Sequence, residues 1–194
     1  MKQLIPTLKE VETMKKNIVM LTGSPRAEGT TSALADAFCK GAGEAGHQVI
    51  RFDTARLKIH PCTGCDYCRE NNEQCVFSDD MEEIYRALKM ADVVVFVSPL
   101  YYFGMTAQLK TAIDRFYAIN PVLRQKPVTA YLLGAGADED PWVMEAMCAH
   151  MKVMCRYLKW SYERGIMALG AGTPEDLAET NHLEQCYNLG RELK

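Results

Sequence analysis

Four of the chain's eight cysteines fall within the stretch "PCTGCDYCRENNEQC": Cys62, Cys65, Cys68 and Cys75, in the pattern C-x2-C-x2-C-x6-C. Three sulfurs at successive three-residue steps can face one centre. A fourth, returning from a short loop, can complete the four-thiolate ligation of a 4Fe-4S cluster. Tetrahedral zinc accepts the same donors, although structural zinc sites more often pair two separated C-x2-C knuckles, so iron suits this spacing better. Free or redox-active thiols and a purely structural loop are the remaining alternatives. Cys148 and Cys155 share an apolar helical stripe with Met144, Met147, Met151 and Leu158, which core packing explains. Cys39 and Cys186 stand alone in other helical segments, and His47, His60, His150 and His182 are too dispersed to suggest ligands or a catalytic dyad. No G-x-S-x-G nucleophile elbow is present.

A second chemical stretch is "TGSPRAEGTTSAL", residues 22–34. Two glycines, one arginine and, near the helix start, three hydroxyl residues stand between an apolar run and a helical pattern. That is the chemistry of an anion cradle: backbone N–H groups at a helix N-terminus point at the anion, Thr30, Thr31 and Ser32 add hydroxyls, and Arg26 adds a charge-assisted bond. It is no Walker A loop, because no lysine follows Gly29, and G-x-G-x-x-G does not occur. An ordinary capped loop is the plainer alternative. The third stretch, "SPLYYFGMT" at 98–106, sets Pro99, Leu100, Tyr101, Tyr102, Phe103 and Gly104 after another apolar run. Aromatic faces and a glycine that lets backbone approach would suit a flat ligand, while packing at a strand end would explain the same residues.

The elements that must position these stretches alternate along the chain. Short apolar runs at 17–22, 47–53, 92–98, 127–133 and 162–169 read as strands, and the unbroken run from Val93 to Val97 reads as a central one buried on both faces. Helical patterns fall between and after them, at 31–44, 80–90, 106–117, 141–158 and 174–193, each long enough for a right-handed crossover. Asp79 and Asp80, followed by Glu82 and Glu83, read as a cap and a charged first turn, so capping alone accounts for "SDDM". The expected fold is α/β, a three-layer doubly wound sandwich around a five-stranded parallel sheet of order 2-1-3-4-5. Ligands in such a sheet bind outside the carboxyl ends of the strands at the reversal point. The loops after strands one and three flank it, and those are the second and third stretches.

Composition narrows the field. With 194 residues, 48% of them apolar, one domain over 17–194 is expected after an amphipathic extension at 1–16. A net charge of −3 with scattered basic residues argues against nucleic acid as a partner. The opening residues lack the continuous apolar core of a secretory signal or membrane anchor, so a cytoplasmic protein is expected, where clustered cysteines favour metal or redox roles over disulfides.

Together, "GSPRAEGTTSAL", "PCTGCDYC" and "SPLYYFGMTAQLKTAIDR", in this order, resemble the NADPH-dependent FMN reductase branch of the flavodoxin-like flavoproteins. The cysteine run further resembles the iron-sulfur flavoproteins within it. The resemblance covers about 17–170 and implies a flavodoxin-like fold, FMN as cofactor, NAD(P)H as co-substrate and a small acceptor such as a quinone or flavin. It implies that Ser24, Arg26, Thr30, Thr31 and Ser32 hold the FMN phosphate, with Thr30 standing where the family commonly has asparagine. It implies that Pro99, Leu100, Tyr101, Tyr102, Phe103 and Gly104 line the isoalloxazine ring, and that Gly134 and Gly136 approach it from the loop after strand four. It implies a 4Fe-4S cluster on the four cysteines, and a homodimer or homotetramer with sites near subunit contacts. An electron carrier serving a ferredoxin-type partner is the rival to the reductase.

Overall fold

The computed structural model describes residues 15–163 and 165–193. The expected extension at 1–16 therefore lies, apart from Lys15 and Lys16, outside the described residues. Lys16 already belongs to the fold: its N–H donates to His47 Nδ1 at 3.2 Å, and its carbonyl accepts from Gln48 N at 2.9 Å.

The sheet runs β2 (Gln48–Asp53), β1 (Asn17–Thr22), β3 (Val93–Pro99), β4 (Thr129–Ala135), β5 (Ser161–Tyr162), all parallel, with β6 (Ile166–Ala168) also pairing β4. This is the expected 2-1-3-4-5 order. Side chains alternate between faces, so each strand feeds two cores. Val19, Leu21, Val94, Phe96 and Leu132 pack with α3 (Met81–Met90), α4 (Ala107–Asp114) and α6 (Glu145–Leu158). Ile18, Met20, Val93, Val95 and Val97 pack with α1 (Thr30–Glu44), α7 (Pro174–Ala178) and α8 (His182–Arg191) on the other face. Double-sided burial is why the β3 run lacks alternation in sequence.

Four elements differ from expectation. The fifth strand is two short ones: Tyr162 pairs with Ala130 and Ile166 with Leu133, so the edge strand gains a residue over β4. That is a bulge, and at Gly165 any Cβ would overlap the Leu132 carbonyl, so only glycine allows this approach. The last helix also divides. The Thr180 hydroxyl donates to the Leu177 carbonyl at 2.8 Å and accepts from His182 N at 3.3 Å, competing with the helical ladder between α7 and α8. The 106–117 helix stops at Asp114 and tightens into a 3-10 turn over Arg115–Ile119, then α5 (Asn120–Leu123). A short α2 (Tyr67–Glu70) forms inside the cysteine run, where no helix was expected.

Candidate functional site

At the carboxyl edge of the sheet a cleft of about 230 Å3 opens at the reversal point between β1 and β3. Its lining comes from four strand ends and the loops after them: Ser24, Arg26, Gly29, Thr30 and Thr31 after β1; Pro99, Leu100 and Tyr101 from the end of β3 onward; Ala135, Gly136 and Ala137 from the end of β4 onward; and Ala171 and Gly172 after β6. The start of α1 explains one wall. Gly29 is its N-cap in extended conformation, φ −120° and ψ 169°, with no side-chain cap and no acidic residue in the first turn. The first intrahelical bond runs from Ala33 N to the Gly29 carbonyl, so the N–H groups of the first turn are left to an external acceptor. By contrast, α7 has a complete capping box from Thr173 and Asp176, and α4 is capped by Thr106. The Ser24 hydroxyl accepts from Arg26 N at 3.1 Å, which curls the loop and leaves the Arg26 side chain exposed at the rim. Gly23 permits the loop to sit this low, since a Cβ there would strike Thr106 Oγ1 and Leu109 Cβ.

The third stretch forms a tight hairpin. Tyr101 N donates to the Gly104 carbonyl at 2.9 Å, and Gly104 N returns a bond to the Tyr101 carbonyl at 3.1 Å. Tyr102 and Phe103 occupy its two central positions at φ 50° and 65°, a left-handed conformation that glycine or asparagine normally supplies. Such strain costs about 1–3 kcal/mol per residue and collects at functional sites. It throws Tyr102 into solvent, 99% exposed, and lays Phe103 on Trp142 with ring centroids 5.2 Å apart.

Of the residues named from sequence, Ser24, Arg26, Thr30, Thr31, Pro99, Leu100, Tyr101 and Gly136 therefore meet in one cleft. Tyr102, Phe103 and Gly104 lie in the hairpin beside it, outside its lining. Ser32 is buried one step further into the first turn of α1. Gly134 is inside β4, where a Cβ would meet Met167 Sδ at 2.9 Å, so packing occupies that position. Sequence reasoning missed Ala135, Ala137, Ala171, Gly172 and Trp142. The carboxyl-end rule, applied to the fifth strand as well as the first and third, reaches Ala171 and Gly172; nothing local marks Trp142.

The cysteine run makes a second, separate site. Cys62, Cys65, Cys68 and Cys75 all line one hollow of about 20 Å3, together with Asp66, Phe77, Arg115 and Tyr117. All four are free thiols; Cys62 and Cys65 are exposed, Cys68 and Cys75 half-buried. Among the described residues no three Cys, His, Asp or Glu side chains stand at metal-holding spacing, so ligation requires these thiols to draw together. The exposed loop bearing Cys62 and Cys65 leaves room for that. Burial raises the Cys68 thiol above its ordinary pKa, and the neighbouring thiols add to the rise.

One lining residue of this hollow, Arg115, belongs to a buried ion pair. Arg115, 1% exposed, donates from Nη1 to Asp79 Oδ2 at 2.8 Å and to the His60 carbonyl at 2.7 Å, and from Nη2 to Asp79 Oδ1 at 3.2 Å. Asp79 also accepts from His60 N at 2.9 Å and Met81 N at 3.1 Å. Asp80, not Asp79, holds the N-cap position of α3, and it does so without a side-chain cap bond; Asp79 instead ties both flanks of the cysteine run to the core. Burial alone would push its carboxyl up; Arg115 and the two backbone N–H groups outweigh that and hold it below the usual carboxylate range. Tyr117 OH reaches across to Asp66 Oδ1 at 2.9 Å, steadying the turn in which Gly64 and Asp66 take φ 65° and 55°.

A doubly wound parallel sheet of order 2-1-3-4-5 with a cleft at its reversal point defines a flavodoxin-like fold. The particular family follows from comparison: residues 16–160 match the NADPH-dependent FMN reductase family, and the chain belongs to it. It is 39% identical over 178 residues to an iron-sulfur flavoprotein of Archaeoglobus fulgidus, covering 90% of this chain and 77% of that one. It is 42% identical over 120 residues to an iron-sulfur flavoprotein of Methanocaldococcus jannaschii, 59% of each chain. In structure it resembles the NAD(P)H:quinone oxidoreductase from Methanothermobacter marburgensis, with TM-score 0.74 and 19% identity over 93% of this chain and 100% of that one; at that identity the likeness speaks to the fold. No helix among the described residues is long and apolar enough to cross a membrane.

Proposed function

We propose that this chain is an FMN-dependent NAD(P)H oxidoreductase that passes electrons from a nicotinamide to a small acceptor such as a quinone or flavin. The observation that carries this reading is the uncapped start of α1, opening into a cleft that four strand-end loops share. The residues fit the cofactor. A phosphate would accept from the free N–H groups of the first turn and from the Thr30, Thr31 and Ser32 hydroxyls, with Arg26 closing over it. Pro99, Leu100 and Tyr101 offer an apolar wall to the ring, and Gly136 lets Leu100 pack close behind it, since a Cβ there would come within 3.3 Å of Leu100 Cδ2. Bound there, FMN supplies hydride acceptance and electron transfer, while the protein supplies binding, orientation and exclusion of water. No side chain of the cleft is assigned as acid or base. Absorption of anaerobically purified protein tests this: a flavin spectrum with NAD(P)H-dependent quinone reduction is expected, and colourless protein that takes up no FMN refutes it.

The four cysteines on one hollow favour an addition to this reading: a 4Fe-4S cluster on Cys62, Cys65, Cys68 and Cys75, as the names of the relatives suggest. The donor set, four free thiols, is that of such a cluster. The chain would then be a carrier between FMN and a ferredoxin-type partner if turnover with NAD(P)H and quinone is negligible while reduced ferredoxin reduces the protein rapidly. Brisk NAD(P)H turnover favours the reductase. The exposed Tyr102 and Trp142 beside the cleft are where a homodimer or homotetramer would cover the site.

A further inference from the structure

The guanidinium of Arg115 is almost wholly accounted for, and the remainder is informative. Its two terminal nitrogens are engaged by Asp79 and the His60 carbonyl, and its face lies 5.3 Å from the Phe77 ring centroid. Its Nε–H, buried, finds no hydrogen-bond partner among the described residues. Leaving a buried donor of a charged group unpaired is costly, so a site that retains one calls for an acceptor. Arg115 lines the hollow on which the four cysteines converge; Asp79 does not. The guanidinium is therefore the member of the ion pair that borders the sulfurs.

Resting on the cluster reading above, we infer that Arg115 is the residue that tunes this centre, donating its Nε–H to a sulfur of the bound cluster. A centre ligated by four thiolates is anionic and becomes more so when it accepts an electron. Hydrogen bonds and positive charge at its sulfurs therefore favour the reduced state and raise the potential. No proton moves: Arg115 stays protonated while a single electron enters the iron-sulfur unit. The arginine sits outside the cysteine motif, forty residues beyond Cys75, on the 3-10 turn that follows α4.

The test uses full-length protein loaded with iron and sulfide, and reads the midpoint potential by EPR-monitored titration. Arg115→Met combined with Asp79→Asn removes the pair together, so no buried charge is stranded; the potential is expected to fall below wild type. Asp79→Asn alone leaves the guanidinium uncompensated, and the potential is expected to rise. Opposite shifts support the inference, and potentials equal to wild type in both loaded variants overturn it, leaving Arg115 a loop anchor only. Should the double variant fail to load, Arg69→Lys protein carrying arginine 15N-labelled at Nε alone decides: pulsed EPR of the reduced centre shows a 15N coupling if the Arg115 Nε touches it, and none if it does not. Wild-type protein free of iron and acid-labile sulfide would remove the cluster reading itself, and this inference with it. A loaded wild type with unshifted variants removes this inference alone.

Discussion

The cleft at the sheet's reversal point and the cysteine hollow are built on opposite principles. The cleft is mostly backbone: free N–H groups of α1, glycines that let chains approach, and strand ends fixed by the parallel sheet. Its shape is set by hydrogen-bonded elements and needs few particular side chains. The hollow is mostly side chain: four thiols on an irregular segment between β2 and α3, anchored to the core by the Arg115–Asp79 pair. A backbone site is expected to tolerate the loss of a side chain with a graded loss of affinity, whereas a side-chain site hung on one ion pair is expected to fail as a unit.

The largest expected effect breaks the comparison most openly. Arg115→Ala strands a buried carboxylate and should cost about 3–5 kcal/mol. Urea unfolding would record this, with proteolysis appearing within 62–75 and FMN affinity unchanged in the protein that remains folded; equal protease sensitivity at the cleft would show that the two regions share one support. Next, Arg26→Ala should weaken FMN binding by about 1.5–3 kcal/mol, the worth of a charge-assisted bond. Calorimetry reads the loss, and iron content should stay constant. Smaller still, Tyr102→Gly should relieve left-handed strain and stabilise the fold by about 1 kcal/mol. Denaturant titration would show it, while quinone turnover falls if the exposed ring contributes to acceptor binding. The mildest effect concerns acid. Asp79 is held below the usual carboxylate range, so its contribution is present above about pH 4, the unfolded value, and is lost as pH falls through the lower folded value. Protease sensitivity of the cysteine segment should rise in that window in wild type, and Asp79→Asn should flatten the dependence.

How far each region can be read from sequence follows the same division. The cleft's parts were legible because backbone sites leave local signs: Gly23, Gly29 and the Thr30–Ser32 hydroxyls sit together in the chain, and the strand alternation predicts where they meet the β3 loop. The β5–β6 break was not legible, since it depends on Gly165 meeting the Leu132 carbonyl, a contact between neighbouring strands that no periodicity encodes. Nor was the strained hairpin, because Tyr102 and Phe103 are poor turn residues and read as packing. In the hollow the cysteine spacing was plain, but its anchor was invisible. Arg115 lies in what reads as an ordinary amphipathic helix, and Asp79 as an ordinary cap; only the fold brings them together beneath the cysteines.

The phosphate is the most direct point of attack on the claim that α1 and Arg26 form an anion cradle for a flavin. Parallel calorimetric titrations of flavin-free protein with FMN and with riboflavin, which differ by that phosphate alone, should give markedly tighter binding for FMN, by at least about tenfold for 1.4 kcal/mol. Equal affinities, or no binding of either, would contradict it.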